Sequence, residues 1–427
     1  MLSPDLGRFA LPTATLRGGV VAAALTAVFA LSACGGPAPA SSAESASPAA
    51  SAGAKAAERS RAMPRLVLTT EGGLMTLNAA TLEPVGETVP LDGFLRINPA
   101  GDGRHVLVST ERGFEVFDAG TWGEPHGDHD HFYTWAPRLT GTVFDADHPG
   151  HAVHHAGSTA LFADGTGEVT VFDPAGLQDG APEAKVSRTP EAHHGVAVPL
   201  PEGGLLTTRS HGEKRVGITV LAADGTEAAS SEDCPGTHGE ATAAGAVVVG
   251  CTDGALVYSG GQIRKVQAPD AYGRIGNQSG SEHSPIVLGD YKVDKDAELE
   301  RPTRISLIDT RTASLRHVEL GTSYSFRSLG RGPAGEALLL GTDGGLRVID
   351  PETGAVARTI PVVAPWTESE TWQDPRPTLF VQGSTAYVTE PAARRLHAVD
   401  LATGAVVKTA ELPAVPNEIT GVTGTAS

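Results

Sequence analysis

Apolar residues along this chain come in short runs, broken every few positions by Gly, Asp or Asn. No long segment repeats its apolar positions at helical spacing, so many short strands are expected. The runs also resemble one another. "HVLVSTERGFEVFDAGT" from His105, "ALFADGTGEVTVFDPAG" from Ala160, "ALLLGTDGGLRVIDPETG" from Ala337 and "AYVTEPAARRLHAVDLATG" from Ala386 share one plan. Each is a strand, a Gly- or charge-rich turn, a second strand ending in Asp, and a short turn. The plan recurs from Leu66, Leu205, Val247 and Ile286, at a period of roughly 35–45 residues that suits a propeller or array. Eight such units predict an all-β fold, a β-propeller of eight blades, or of seven if one unit is a partial blade. The first unit lacks a preceding inner strand. Glu418 to Thr425 (EITGVTGT) is expected to supply it and close the ring, which leaves only short, protected sheet edges.

The N-terminal part departs from this pattern. Arg8 and Arg17 lead into Gly18 to Leu31, an apolar run too short for a comfortable membrane span. The run ends in Leu31-Ser32-Ala33-Cys34, which resembles a bacterial lipobox with Cys34 as the lipidated residue. An ordinary signal peptide with a chance cysteine is the competing interpretation. Residues 1–33 are therefore expected to be a signal peptide and residues 34–62 a lipidated cysteine with a tether. The tether is rich in Ala, Ser and Pro and too poor in apolar surface to offset its ordering entropy. Its reach as a random coil would be roughly 30 Å. Residues 63–427 form the expected globular unit, long enough for a substantial core.

A net charge of −18 argues against nucleic-acid binding, which needs a basic surface. With Cys34 assigned to lipid, Cys234 and Cys251 remain. Outside the cytoplasm such a pair is most simply a disulfide. Two thiolate zinc ligands are the alternative, although no paired CxxC spacing supports it.

Histidine sharpens the picture. Seven of the chain's 15 histidines fall between His126 and His155, interspersed with Asp128, Asp130, Asp145 and Asp147. Neutral imidazole is the commonest zinc ligand and carboxylates complete such sites. His126, His129 and His131 lie in HGDHDH, expected to be a flexible linker that wraps one ion loosely. Seven others precede the main hairpins of successive units: His151, His154 and His155 in the third, His193 and His194 in the fourth, His238 with Glu240 in the fifth, and His283 with Glu282 in the sixth. At entry or inner-strand positions they would converge near the propeller axis. A wet channel merely lined with polar residues is the alternative for any one of them.

Enzyme signatures are thin. There is no GxSxG motif, and Ser, His and Asp are too plentiful to nominate a triad. A metal-dependent lactonase-like hydrolase would need acidic Ca2+ ligands near the axis, whereas this set is rich in imidazole. A non-catalytic scaffold or adhesion propeller is a further alternative.

The His-Gly-Asp-His-x-His loop, HxxxHxG at His151, HHGVAVP at His193 and CPGTHGEA at Cys234, in that order, resemble the AztD family of periplasmic or cell-surface zinc metallochaperones. The resemblance implies a β-propeller that binds zinc at more than one site. It implies transfer to the solute-binding protein of a zinc ABC importer without chemical turnover. By motif, His151 and His155, one or other of the adjacent His193 and His194, His238, and the loop histidines are the implied ligands, and Cys234 with Cys251 braces the loop holding His238. The lipobox and tether depart from soluble members and imply a monomer anchored at the outer face of the cell membrane.

Overall fold

The computed structural model describes residues 56–426. The signal peptide and Cys34 lie outside the described residues. Within them the chain is almost entirely strand, with three short 3-10 turns.

The sheets are antiparallel meanders. Arg96–Pro99, His105–Thr110, Gly113–Asp118 and Arg138–Asp145 make one. The plan repeats through six further sheets. The last of them is Leu379–Gln382, Thr385–Glu390, Arg395–Asp400 and Ala405–Glu411. The closing sheet joins the two ends of the chain. Ile419–Val422 pairs with Arg65–Thr70, Arg65 opposite Val422 and Leu68 opposite Ile419, and Gly73–Asn78 follows. The C-terminal strand thus closes the ring as expected, and eight sheets share this plan. With the closing sheet as the first, the sheet opened by Arg96–Pro99 is the second, and the others follow in chain order.

The apolar pattern explains the order within a sheet. The two middle strands are covered on both faces by neighbouring sheets, so they read as continuous apolar runs. Leu66, Val67 and Leu68 are fully buried. Outermost strands face solvent, which is where the exposed Val186, Val356, Val406 and Val407 sit. Apolar layers fill the gaps between sheets. One joins Val153 of the third sheet, Val198, Leu206 and Ile218 of the fourth, and Val247 and Val249 of the fifth.

Cys234 and Cys251 lie in the same layer and form a disulfide with Cα atoms 5.0 Å apart; the thiolate-ligand alternative therefore falls. Closing this 17-residue span stabilises the fold by about 3 kcal/mol on the chain-entropy argument.

Two expectations are corrected. HGDHDH is not a flexible linker. Thr121–His126 and His129–Thr134 form a β-hairpin with Gly127-Asp128 at its turn. The expected tether also ends early, because Ala57–Arg59 is a strand paired with Phe132–Thr134 on the hairpin's edge. Unpaired backbone groups favour this order over a coil.

The hairpin is rooted firmly. Arg104 makes a two-point ion pair with Asp118 (3.1 and 2.8 Å) and lies over the rings of Trp122 and Trp135 at 4.2 and 4.7 Å. Trp135 Nε1 donates to the same carboxylate at 3.0 Å. Arg65 Nη1 donates to the Ala119 and Trp135 carbonyls.

Candidate metal centre

Three inner strands bring His151, His194 and His238 together. His151 lies on Pro149–His155 of the third sheet, His194 just before Ala197–Pro199 of the fourth, and His238 opens His238–Ala243 of the fifth. Ring centroids are 5.4 Å apart for His151 and His194, and 5.2 Å for His194 and His238.

Two of these positions are made by β-bulges. The register slips between Pro149 and Ala152 and again between His238 and Glu240. An extra residue in a strand bends it and re-aims the side chain. Gly239 takes φ +68 in its bulge, a conformation that costs glycine little. A Cβ there would also lie 2.6 Å from the Gly276 carbonyl, the group that His238 uses. Gly150, beside His151, leaves room for the Asp164 carboxylate, which a Cβ would strike.

Each ring is held from behind at Nδ1. His151 faces Glu240 Oε2 at 3.0 Å, His194 faces Asp164 Oδ2 at 2.6 Å, and His238 donates to the Gly276 carbonyl at 2.7 Å. Asp164 also accepts from the Gly195 N–H at 3.2 Å, fixing the His194 turn. Among the described residues none of the three Nε2 atoms has a protein hydrogen-bond partner. Such backing by carboxylate or carbonyl is how metal-ligating imidazoles are oriented. A cavity of about 410 Å³ opens on the three rings, with Arg96, Arg274 and Asn277 also on its wall.

The charge states differ. Burial pushes His238 down to about 3, and the nearby Arg274 adds to this against the Gly276 hydrogen bond. That ring is a neutral donor at physiological pH. Burial also opposes charge on His151, but attraction and hydrogen bonding from Glu240 outweigh it and raise its pKa.

The neighbouring candidates fall elsewhere. His193 is buried with both nitrogens engaged, Nδ1 with the Glu191 carbonyl and Nε2 with Thr208 Oγ1, each at 2.9 Å. Its ring meets Phe162 edge-on, at 5.2 Å between centroids. It braces the turn that presents His194. His155 lies four residues beyond His151 on the same strand, about 13 Å away at strand rise. There Nδ1 bonds the Pro199 carbonyl at 2.6 Å, and Nε2 is 3.7 Å from Glu282. Glu282 and His283 belong to the turn after the inner strand of the sixth sheet, not before it, so they sit at the far end. Glu240 stands behind His151 at Nδ1.

The hairpin carries the second set. His126 and His129 are cross-strand partners, and His131 is two residues on, so all three share a face. Their ring centroids are 5.0 to 5.3 Å apart. One ligand atom from each already lies within 4.8 Å of the others. Asp128 meets His129 Nδ1 at 3.1 Å. Glu58, on the strand Ala57–Arg59, meets His131 Nδ1 at 2.9 Å.

Sequence reasoning missed three of these groups. Asp164 was hidden in a blade turn, FADG, that looks generic. The Gly276 carbonyl has no side-chain signature. Glu58 sat in a segment whose composition suggested a tether.

No protein-family model matches the chain. In sequence it is similar to the zinc chaperone AztD of Citrobacter koseri, 26% identical over 285 residues, 64% of this chain and 66% of that protein. The match thus spans just under two thirds of the relative's length. The crystal structure of Citrobacter koseri AztD superposes with a TM-score of 0.74 at 22% identity, covering 86% of this chain and all of that one. The apo form of the same protein gives 0.72 at 22% identity, over 85% and 98%. Dihydro-heme d1 dehydrogenase NirN gives 0.52 at 11% identity, over 84% and 74%. At these identities the structural likenesses speak to the fold alone.

Proposed function

We propose that this chain, AztD-like in sequence and in its propeller fold, is an extracytoplasmic zinc chaperone that binds and passes on Zn2+ without chemical turnover. One observation supports the proposal: three imidazoles from three consecutive sheets, each held at Nδ1 with Nε2 unpartnered among the described residues, line one cavity. Three protein nitrogens would leave a tetrahedral zinc one open position, which an incoming donor can take.

The hairpin triad is the second site in this proposal. It is more exposed and its donors are already close. Surface sites exchange ligands with few contacts to break, which suits arrival or departure of the ion. The solute-binding protein of a zinc ABC importer is the proposed acceptor. Lipid on Cys34 would keep the chaperone at the outer face of the membrane, and the disulfide fits that compartment.

The test is equilibrium competition between metal-stripped protein and a zinc chelator of known affinity. Binding tighter than micromolar is expected, and combined H151A, H194A and H238A substitution should abolish the tight site. Affinity weaker than micromolar, or unaltered in the triple variant, would refute the assignment.

A further inference from the structure

Two arginines beside His194 and His238 stand without a polar partner among the described residues. Arg215 and Arg274 are half-buried, yet among the described residues neither guanidinium has a carboxylate within 4.0 Å or a hydrogen bond to the protein. The other inner arginines behave differently. Arg104 is paired with Asp118, Arg327 with Glu418, and Arg376 with Glu368, at 2.7 to 3.1 Å. In a chain with 50 acidic residues against 32 basic ones, two idle cations next to each other call for a partner.

Their position is specific. Arg215, Arg274, His193, His194, His238 and Glu213 line a cavity of about 610 Å³. Arg274 folds over Gly276, where a Cβ would lie 2.6 Å from its Nη1. That is the residue whose carbonyl holds His238. Burial lowers the pKa of Arg215, and Arg274 lowers it further against the attraction of Asp164, so the two charges share a partly desolvated space. Glu240 and Asp164 stand behind two of the imidazoles, but two guanidiniums beside the rings still oppose a divalent cation, and an added anion would offset them.

Resting on the zinc site proposed above, we infer that Arg215 and Arg274 form a carboxylate-binding subsite whose occupant pairs with the two guanidiniums, offsetting one of their two charges, and offers an oxygen to the ion on His151, His194 and His238. Guanidinium forks match carboxylate geometry, and charge-assisted hydrogen bonds of this kind are strong. A carboxylate has an oxygen for each side, which a halide lacks. Zinc and the acid are then taken up together, each raising the affinity of the site for the other. The acid is either a free small molecule or an Asp or Glu side chain presented by another protein.

The experiment measures zinc affinity of the full chain, disulfide intact, by chelator competition at fixed ionic strength. Acetate replaces chloride, with the chelator calibrated in each buffer. Acetate should tighten zinc binding on the order of tenfold, the scale of one charge pair at a partly exposed site. In the R215Q/R274Q double variant that dependence should vanish. The same variant should bind zinc more tightly than wild type in chloride, because two repelling charges are gone. A poorly folded variant would bind more weakly, so misfolding cannot mimic this result. Wild type indifferent to acetate, or a double variant that melts like wild type yet shows unchanged or weaker affinity in chloride, overturns the subsite. Acetate dependence that emerges only in E213Q also overturns it, since Glu213 would then fill the cavity from within. A capped Gly-Glu-Gly peptide acting at lower concentration than acetate identifies a protein side chain as the source, and equal potency identifies a free acid. No tight zinc binding in either buffer would instead refute the chaperone proposal itself.

Discussion

At the proposed zinc site Glu240 would set the acid limit. Zinc there needs His151 neutral, and Glu240 stabilises the protonated ring. Affinity should therefore fall as pH drops through a His151 pKa that lies above its ordinary value. In E240Q the support for the charged ring is lost, so the midpoint of affinity against pH should move to lower pH; a midpoint unmoved or raised would contradict this. His238 contributes nothing to that midpoint, because burial already holds it down to about 3. The adjacent pair His193 and His194 offers a sharper comparison. H193Q should leave zinc affinity within about twofold while costing roughly 1–2 kcal/mol of stability through its buried hydrogen bonds. H194Q should leave stability nearly unchanged and lower affinity by at least tenfold. Calorimetric melting and chelator competition separate the two. That distinction was not legible in HHG, because two adjacent histidines in a turn look alike in sequence. Which one is tied into the core depends on Phe162 and Thr208, contacts made by two other strands.

At the scale of the element, the hairpin was the least legible part of the chain. Its apolar content is low, and HGDHDH resembles a polar linker. Yet the signal was available: Gly127-Asp128 is a two-residue hairpin turn flanked by alternating positions, Trp122, Glu124 and His126 on one arm and His129, His131 and Tyr133 on the other. The main hairpins of the eight units were legible because their apolar runs are long enough to be read without partners. If the hairpin is a zinc site, H126A/H129A/H131A should remove one equivalent of bound zinc by metal analysis and leave the tight site intact. E58A should weaken that second equivalent alone. The root of the hairpin makes a separate prediction. R104A leaves Asp118 buried without its guanidinium and should cost about 3 kcal/mol, with faster hydrogen exchange over residues 121–134 before the rest of the fold responds.

At the scale of the molecule, cooperativity depends on the join between Ile419–Val422 and Arg65–Thr70. Deleting residues 417–427 should open that sheet, lower Tm and broaden the melting transition. The join lies in the first sheet, whereas the histidines lie on the third, fourth and fifth. Fraying at the join therefore leaves the distances among His151, His194 and His238 unchanged, and the disulfide under His238 keeps its turn closed. Held by a hoop fastened in this way, zinc at the proposed site would not be freed by the ring coming open. On the proposed function it would leave by substitution, an incoming donor attaching before a histidine lets go. The rate of release should then climb with the concentration of the acceptor, whereas a ring that opened by itself would release at one fixed rate however much acceptor was waiting.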